Sequence, residues 1–314
     1  MSGEFPRFIA AGEALTDMIR VEGEHWVSKT GGSTWNVARA AASLGVGSAF
    51  AGAISRCCFG DALWEASRES GLDLRFLQRV ERSPLLAMVP QSQPPSYFFI
   101  GNDSADLHFD VQALPSGWRN ALAWAHFGGI SLARAPLSER LQELASELHE
   151  AGVSISYDPN FRNLMDASYR RTFERMCRLA SVIKVSDEDL IGLMQTDTPW
   201  QALQEIRAWN PGAWWLYTEG AKGATLLTPE AGWQARPPVI TVVDTVGAGD
   251  ACIAGLIASR IRFSGRAPAS HLAYAIAAGA AACQFAGARP PDPASAQALF
   301  EGIEVRQIGP DLPA

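Results

Sequence analysis

Asp244-Thr245-Val246-Gly247-Ala248-Gly249-Asp250 sets two glycines and two carboxylates between segments of opposite character. Before it, Val239-Ile240-Thr241-Val242-Val243 is β-branched and apolar and reads as a strand. After it, Ala251 to Ala258 has helical composition interrupted only by Gly255. A glycine-bearing loop therefore passes the chain from strand to helix and ends on a carboxylate. The first turn of a helix carries unpaired N–H groups and the positive end of its dipole, and glycines let an anion approach that backbone closely. Asp250, at the same terminus, is placed to take a proton from a hydroxyl held beside the anion. An anion hole with an adjacent base is what phosphoryl transfer to an alcohol requires.

From the loop alone a second reading stands, a tight turn in which Asp250 only caps its helix. A dinucleotide loop fits poorly, because Cys252 occupies the place of its third glycine and residues 265–274 hold no Asp or Glu to meet a ribose. No Gly-x-x-x-x-Gly-Lys-Ser/Thr phosphate loop occurs in the chain.

The 314 residues are 47% hydrophobic and 19% charged, which suits a globular α/β domain with a sizeable core. A net charge of −7 argues against a nucleic-acid binder with a basic surface. Met1-Ser2-Gly3-Glu4-Phe5-Pro6-Arg7 has no signal-peptide pattern, and no run is apolar for long enough to span a membrane; a cytoplasmic protein without a membrane partner is expected. Cys57, Cys58, Cys177, Cys252 and Cys283 form neither a disulfide framework nor a Cys-x-x-Cys pattern, so reduced, mostly buried thiols are expected. The five histidines form no zinc motif.

Along the chain, Phe8 to Gly12 is a short buried-strand pattern, with Asp17 among apolar residues near the end of this first strand. Gly31-Gly32-Ser33-Thr34-Trp35-Asn36 opens a helix over Val37 to Gly45, and Ser33 and Asn36 at its mouth suit the hydroxyls of a polyol. Ser48–Ile54 reads as a strand, Cys57–Asp61 as a turn, and Ala62–Ser70 as a helix closed by Gly71. Leu85–Pro90 and Ser96–Ile100 read as antiparallel strands around a Gln/Pro/Ser-rich turn, a small β insert suited to act as a lid. Regular alternation follows: strands at Ala123–Gly129, Val153–Asp158, Val182–Ser186 and Trp214–Thr218, helices at Leu137–Ala151 and Ala167–Ala180, and an alanine-rich core helix over Ala273–Ala286. Such alternation implies a mostly parallel sheet with helices on both faces. Polar and glycine residues cluster at the strand C-termini, where open α/β sheets bind ligands.

With these pieces in place, the chain resembles the ribokinase-like (phosphofructokinase-B) carbohydrate kinases over nearly its whole length, most closely the fructokinases and 2-keto-3-deoxygluconate kinases. The resemblance rests on Gly12-Glu13-Ala14-Leu15-Thr16-Asp17, Gly31-Gly32 with Asn36, Asp158-Pro159-Asn160-Phe161-Arg162, Lys184-Val185-Ser186, Thr218-Glu219-Gly220-Ala221-Lys222-Gly223 and, most specifically, Asp244 to Asp250. It implies a single kinase domain over residues 1–314, with lid strands from about 13–30 and 82–110. By the same resemblance, Asp250 is the base, and Gly247, Ala248 and Gly249 form the anion hole. Asp17, Gly32, Asn36 and Arg162 meet the sugar, and Lys184, Ser186, Thr218, Gly220 and Gly223 meet the nucleotide. ATP with Mg2+ is implied, along with a monovalent cation such as K+ for many members. Asp244 and Asp189 are the metal-side carboxylates. Apart from the resemblance, the uncovered face of the β insert invites pairing, so a homodimer through the lid is expected.

Two departures bear on function. Asp189 stands where the family usually has Glu, and Trp35 lies in a stretch that in fructokinase-like chains usually reads Gly-Gly-Ala-Pro-Ala-Asn, a departure that leaves the choice of sugar open. The reading is an ATP-dependent sugar kinase acting on fructose. The alternatives are 2-keto-3-deoxygluconate, whose carboxylate needs a cation such as Arg162, Arg134 or Arg39, and a silent sugar- or nucleotide-binding homologue.

Overall fold

Along the first strand, β1 (Phe8–Ala11), Phe8 and Ala10 belong to one apolar core while Ile9 and Ala11 belong to the other. The period of two in a strand thus divides the molecule into layers on either side of a sheet. The computed structural model describes residues 4–92 and 95–309. After β1 the strands are β2 (Leu15–Glu22), β3 (His25–Gly31), β4 (Ser48–Ser55), β5 (Leu77–Val80), β6 (Leu86–Ser92) and β7 (Pro95–Ile100). They continue as β8 (Trp124–Gly128), β9 (Ser154–Asp158), β10 (Val182–Ser186), β11 (Trp214–Thr218), β12 (Ala224–Leu227), β13 (Gly232–Ala235) and β14 (Val305–Ile308). The helices used below are α1 (Ser33–Ser43), α2 (Cys58–Glu69), α3 (Leu137–Glu150), α4 (Arg170–Leu179), α5 (Asp187–Met194), α6 (Pro199–Arg207), α7 (Ala248–Arg262) and α8 (Pro268–Ala282).

The main sheet has ten strands, ordered β14-β13-β12-β11-β10-β9-β8-β1-β4-β5. From β5 through β11 every pairing is parallel; β12, β13 and β14 add an antiparallel edge. The α1, α7 and α8 layer covers one face and the α3 and α4 layer the other. The chain leaves β1 towards β4 and β5, then returns to β8 on its other side. That reversal opens a crevice at the strand C-termini.

A separate four-stranded sheet, β3-β2-β6-β7, stands apart from the main one. The expected insert supplies β6 and β7, which pair antiparallel, and β2 and β3 complete it. The turn between β6 and β7 falls in part on Gln93 and Pro94, outside the described residues, as do Met1–Gly3. Among the described residues no helix is long and apolar enough to cross a membrane.

Three sequence expectations are corrected. Val239–Val243 is not a strand: it runs irregular and largely exposed after Pro237-Pro238. Its β-branched residues have no neighbouring strand to pair with, and Val243 N instead donates to the Cys283 carbonyl. Asp17 sits on β2 in the small sheet rather than at the end of β1. Cys57 is the N-cap of α2, whose first turn takes up the expected turn.

Candidate active site

Gly247 adopts φ +81 as the N-cap of α7, a left-handed geometry that glycine enters without strain. It turns the chain so that the α7 N-terminus, with Ala248, Gly249 and Asp250, faces a cavity of about 820 Å³. Asp250 is 8% exposed. Its Oδ1 accepts from Ser33 Oγ at 2.7 Å and its Oδ2 from Asn36 Nδ2 at 2.9 Å, both in the first turn of α1. Burial pushes the Asp250 carboxyl above the usual carboxylate range, and the Asn36 and Ser33 donors, then Lys184 and Arg162, pull it part of the way back. Asn36 Oδ1 is buried with no hydrogen-bond partner, an acceptor left for a hydroxyl.

The glycine pair before α1 has two separate steric reasons. A Cβ on Gly31 would lie 2.3 Å from Asp17 Oδ2, and one on Gly32, at φ +115, would lie 2.5 Å from the Glu13 carbonyl. The missing Cβ at Gly31 leaves room for the Asp17 carboxylate of β2, and that at Gly32 lets the chain pass close to the Glu13 carbonyl. Burial raises Asp17 to about 6, with Arg162 pulling it down and Asp250 pushing it up. Arg162 Nη1 donates to Asn160 Oδ1 at 2.9 Å and to the Phe161 carbonyl at 2.7 Å, and its guanidinium lies 5.1 Å from the Tyr97 ring of the small sheet.

Strand alternation puts Val182 and Lys184 of β10 on the α7 face and Ile183 and Val185 on the other. Lys184 Nζ pairs with Asp158 at 3.1 Å and Asp189 at 3.5 Å, and lies 3.4 Å from where a Cβ of Gly249 would be. Burial opposes its charge, but Asp158 and Asp189 outweigh that and hold the ammonium above its ordinary range. A fixed cation thus lies under the amides that open α7.

Every expected site residue except Asp244 lines this one cavity: the sugar-side set, the α7 terminus, Lys184, Ser186, Asp189, Thr218, Gly220 and Gly223. Asp244 lies outside the lining. Its Oδ1 accepts from Val246 N at 3.1 Å and its Oδ2 from Gly287 N at 2.8 Å, tying the loop down. Asp189 completes a capping box on α5: its oxygens accept from Phe161 N at 2.7 Å and Ser186 N at 2.8 Å. Trp35, the departure in the Gly-Gly stretch, is fully buried, donates to Ser67 Oγ at 2.9 Å and is not part of the lining. The start of helix α1 at Ser33 turns this side chain away from the cavity that Ser33 and Asn36 face. Of the arginines considered for a sugar acid only Arg162 reaches the cavity; Arg134 is bound to Asp106 and Arg39 to Ser70 and the Ala288 carbonyl.

Several lining residues had no separate sequence signal. Glu13 is 2% exposed and raised to about 7 by burial, with Ser131 N donating to its Oε2 at 3.1 Å. Tyr97 and Phe99 share one face of β7, which alternation within the insert would have paired. Asp187, Glu188 and Pro237–Ile240 also line the cavity.

The pfkB family carbohydrate kinase model matches residues 7–295. The chain belongs to the pfkB family. It is 30% identical over 253 residues to a fructokinase of Vibrio alginolyticus, covering 79% of this chain and 81% of that one. A fructokinase of Xylella fastidiosa with bound ATP superposes with a TM-score of 0.83 at 26% identity, over 94% and 98% of the two chains. An aminoimidazole riboside kinase of Salmonella enterica, complexed with aminoimidazole riboside and an ATP analogue, superposes with a TM-score of 0.80 at 27% identity, over 93% and 99%. This pfkB chain is a sugar kinase, and the cavity at its strand C-termini is the candidate for its active site.

Proposed function

We propose that this kinase moves the γ-phosphoryl group of ATP to a hydroxyl of fructose, with Asp250 as the base. The observation that carries the reading is the Asp250 carboxylate, held by Ser33 and Asn36 at the mouth of α7 beside an unmet Asn36 acceptor. Asp250 takes the proton as the sugar O–H bond breaks. The freed oxygen forms its bond to the γ-phosphorus, and the bond from that phosphorus to the bridging oxygen breaks, its electron pair leaving with ADP. The amides of Gly247, Ala248 and Gly249, with Lys184 beneath them, face the charge spread over the moving group. Ser186, Thr218, Gly220 and Gly223 line the end assigned to the nucleotide.

Mg2+ would neutralise the polyphosphate. Among the described residues no group of three or more His, Cys, Asp or Glu is set for a metal, which fits an ion held mainly by phosphate oxygens and water. Asp187 and Glu188, in the lining, are better placed to meet its waters than Asp189, whose oxygens hold α5. Each Asp244 oxygen keeps a lone pair after accepting its amide, which suits it to help hold a monovalent cation such as K+.

A neutral sugar is favoured over a sugar acid because Asp17, Glu13 and Asp250 share the cavity with Arg162, whose guanidinium already serves Asn160 and Phe161. Arg162 is also what keeps 2-keto-3-deoxygluconate as the second reading. The silent-homologue reading loses its one support, since Asp189 acts as a helix cap. We read the chain as one cytoplasmic kinase domain with the small sheet as its lid, excluding water when closed. The outer face of that sheet, with Phe98 51% and Ile100 50% exposed, is the surface for a homodimer.

The test is ADP release from Mg-ATP with fructose, ribose, 2-keto-3-deoxygluconate, adenosine and aminoimidazole riboside, with Asp250→Asn alongside. Fructose should turn over best, and Asp250→Asn should lower kcat by at least about a hundredfold. Preferential turnover of the sugar acid would replace fructose as substrate. An Asp250→Asn enzyme within tenfold of the parent would remove the base.

A further inference from the structure

Gly32 is the N-cap of α1 and has no side chain to cap with, and Ser33 is the first helical residue after it. Here α1 has no side-chain cap, and Ser33 Oγ instead crosses to Asp250 Oδ1, 217 residues away. Asn36, one turn further on the same face, donates to Oδ2. The α1 helix therefore presents one donor to each oxygen of the carboxylate. A carboxylate rotates about Cβ–Cγ in a broad, two-fold well, and two donors on different oxygens restrict it to one plane. Each oxygen keeps a lone pair for the incoming hydroxyl. The charged groups facing Asp250 come from other elements: Lys184 of β10, Asp158 of β9, Arg162 from the loop after β9, and Asp17 of β2. Of the two side-chain donors on the carboxylate, Ser33 makes the shorter hydrogen bond, 2.7 Å against 2.9 Å for Asn36.

We propose that Ser33 is a positioning residue for the phosphoryl-transfer base: its hydroxyl fixes the Asp250 carboxylate plane and favours its ionised form. This rests on Asp250 being the base. The sign follows from the donor. An O–H that donates to a carboxylate stabilises the charged form, so its removal makes Asp250 harder to ionise.

The experiment measures the pH dependence of kcat/KM for the sugar at saturating Mg-ATP in the parent enzyme, Ser33→Ala, Ser33→Cys and Ser33→Thr, with Asp250→Asn as control. Urea midpoints establish that each variant is folded. Ser33→Cys fills the same space with a weak donor, so it separates hydrogen bonding from packing and stands in if Ser33→Ala does not fold. The acid limb should move up by about half to one pH unit in Ser33→Ala and Ser33→Cys, with kcat falling more than KM rises. In Ser33→Thr, which keeps a hydroxyl, the limb should return towards that of the parent. A uniform loss at every pH, with the limb unmoved in both Ser33→Ala and Ser33→Cys while Asp250→Asn is inactive, overturns the role of Ser33 alone. Retained activity in Asp250→Asn would overturn the underlying assignment instead.

Discussion

Replacing Lys184 with Met should separate what the buried ammonium does for stability from what the anion hole does alone. Lys184 Nζ is 3.1 Å from Asp158 and 3.5 Å from Asp189. At 3.1 Å the attraction is about 5 kcal/mol under an effective dielectric constant of about 20. The two carboxylates do not suffer equally when the ammonium goes. Asp189 keeps two backbone amides, from Phe161 and Ser186. Asp158, 1% exposed, keeps only Asn160 N, at 3.0 Å to its Oδ1. Burial already pushes the Asp158 carboxyl up against the pull of Lys184, so in the variant it escapes part of the penalty by taking a proton. The expected cost is therefore at the lower end for a broken buried pair, about 3 kcal/mol.

The assay is urea unfolding at neutral pH on a cycle of Lys184→Met, Asp158→Asn and the double variant. With the partner gone, Lys184→Met should cost less, giving a coupling of about 2 kcal/mol. Single-variant costs that add to within about 0.5 kcal/mol would refute the pairing argument.

Two further outcomes follow from burial and backbone geometry. Glu13 has a folded-state value of about 7 against 4.5 unfolded, so the folded protein holds the extra proton between them and stability falls as pH rises through that window. The fall is at most about 3.5 kcal/mol at about 1.4 kcal/mol per pH unit; Glu13→Gln should flatten it, and a stability difference between parent and variant that stays constant from pH 4.5 to 7.5 would contradict it. Gly223 has φ +117 and a Cβ there would lie 2.2 Å from the Ala235 carbonyl, whereas Gly220, at φ +55, has open space around it. Gly223→Ala should lower thermal stability well beyond the roughly 1 kcal/mol expected of Gly220→Ala, and equal melting temperatures would refute the steric account.

The parallel sheet was legible because its strands carry their own signals: Val182–Ser186 and Trp214–Thr218 are apolar runs ending in polar residues, and the structure keeps those bounds. The site was legible where a residue type has one physical use, as with the glycines that open α7. Val239–Val243 failed because β propensity reports a fit to a pleated surface, and here no strand lies alongside. Asp189 caps α5, a role its position three residues after Ser186 allows as well as a catalytic motif does.

What no local pattern reveals is how Ser33 and Asn36 meet Asp250 across more than two hundred residues. That meeting depends on how closely α1, α7 and α8 pack. Ala38, Ala41, Ile253 and Leu256 belong to the same buried core. On the other side of α7, a Cβ on Gly255 would lie 2.7 Å from the Ala278 Cβ, and one on Gly279 would lie 3.1 Å from the Ala248 carbonyl. Gly279 therefore brings α8 against the first turn of α7, where the anion-hole amides begin. Small residues that read as plain helix-core glycines and alanines set how closely α7 packs against α8, while Ala38 and Ala41 of α1 share the core with α7. The orientation of the Asp250 carboxylate is thus a property of helix packing as much as of the loop that carries it.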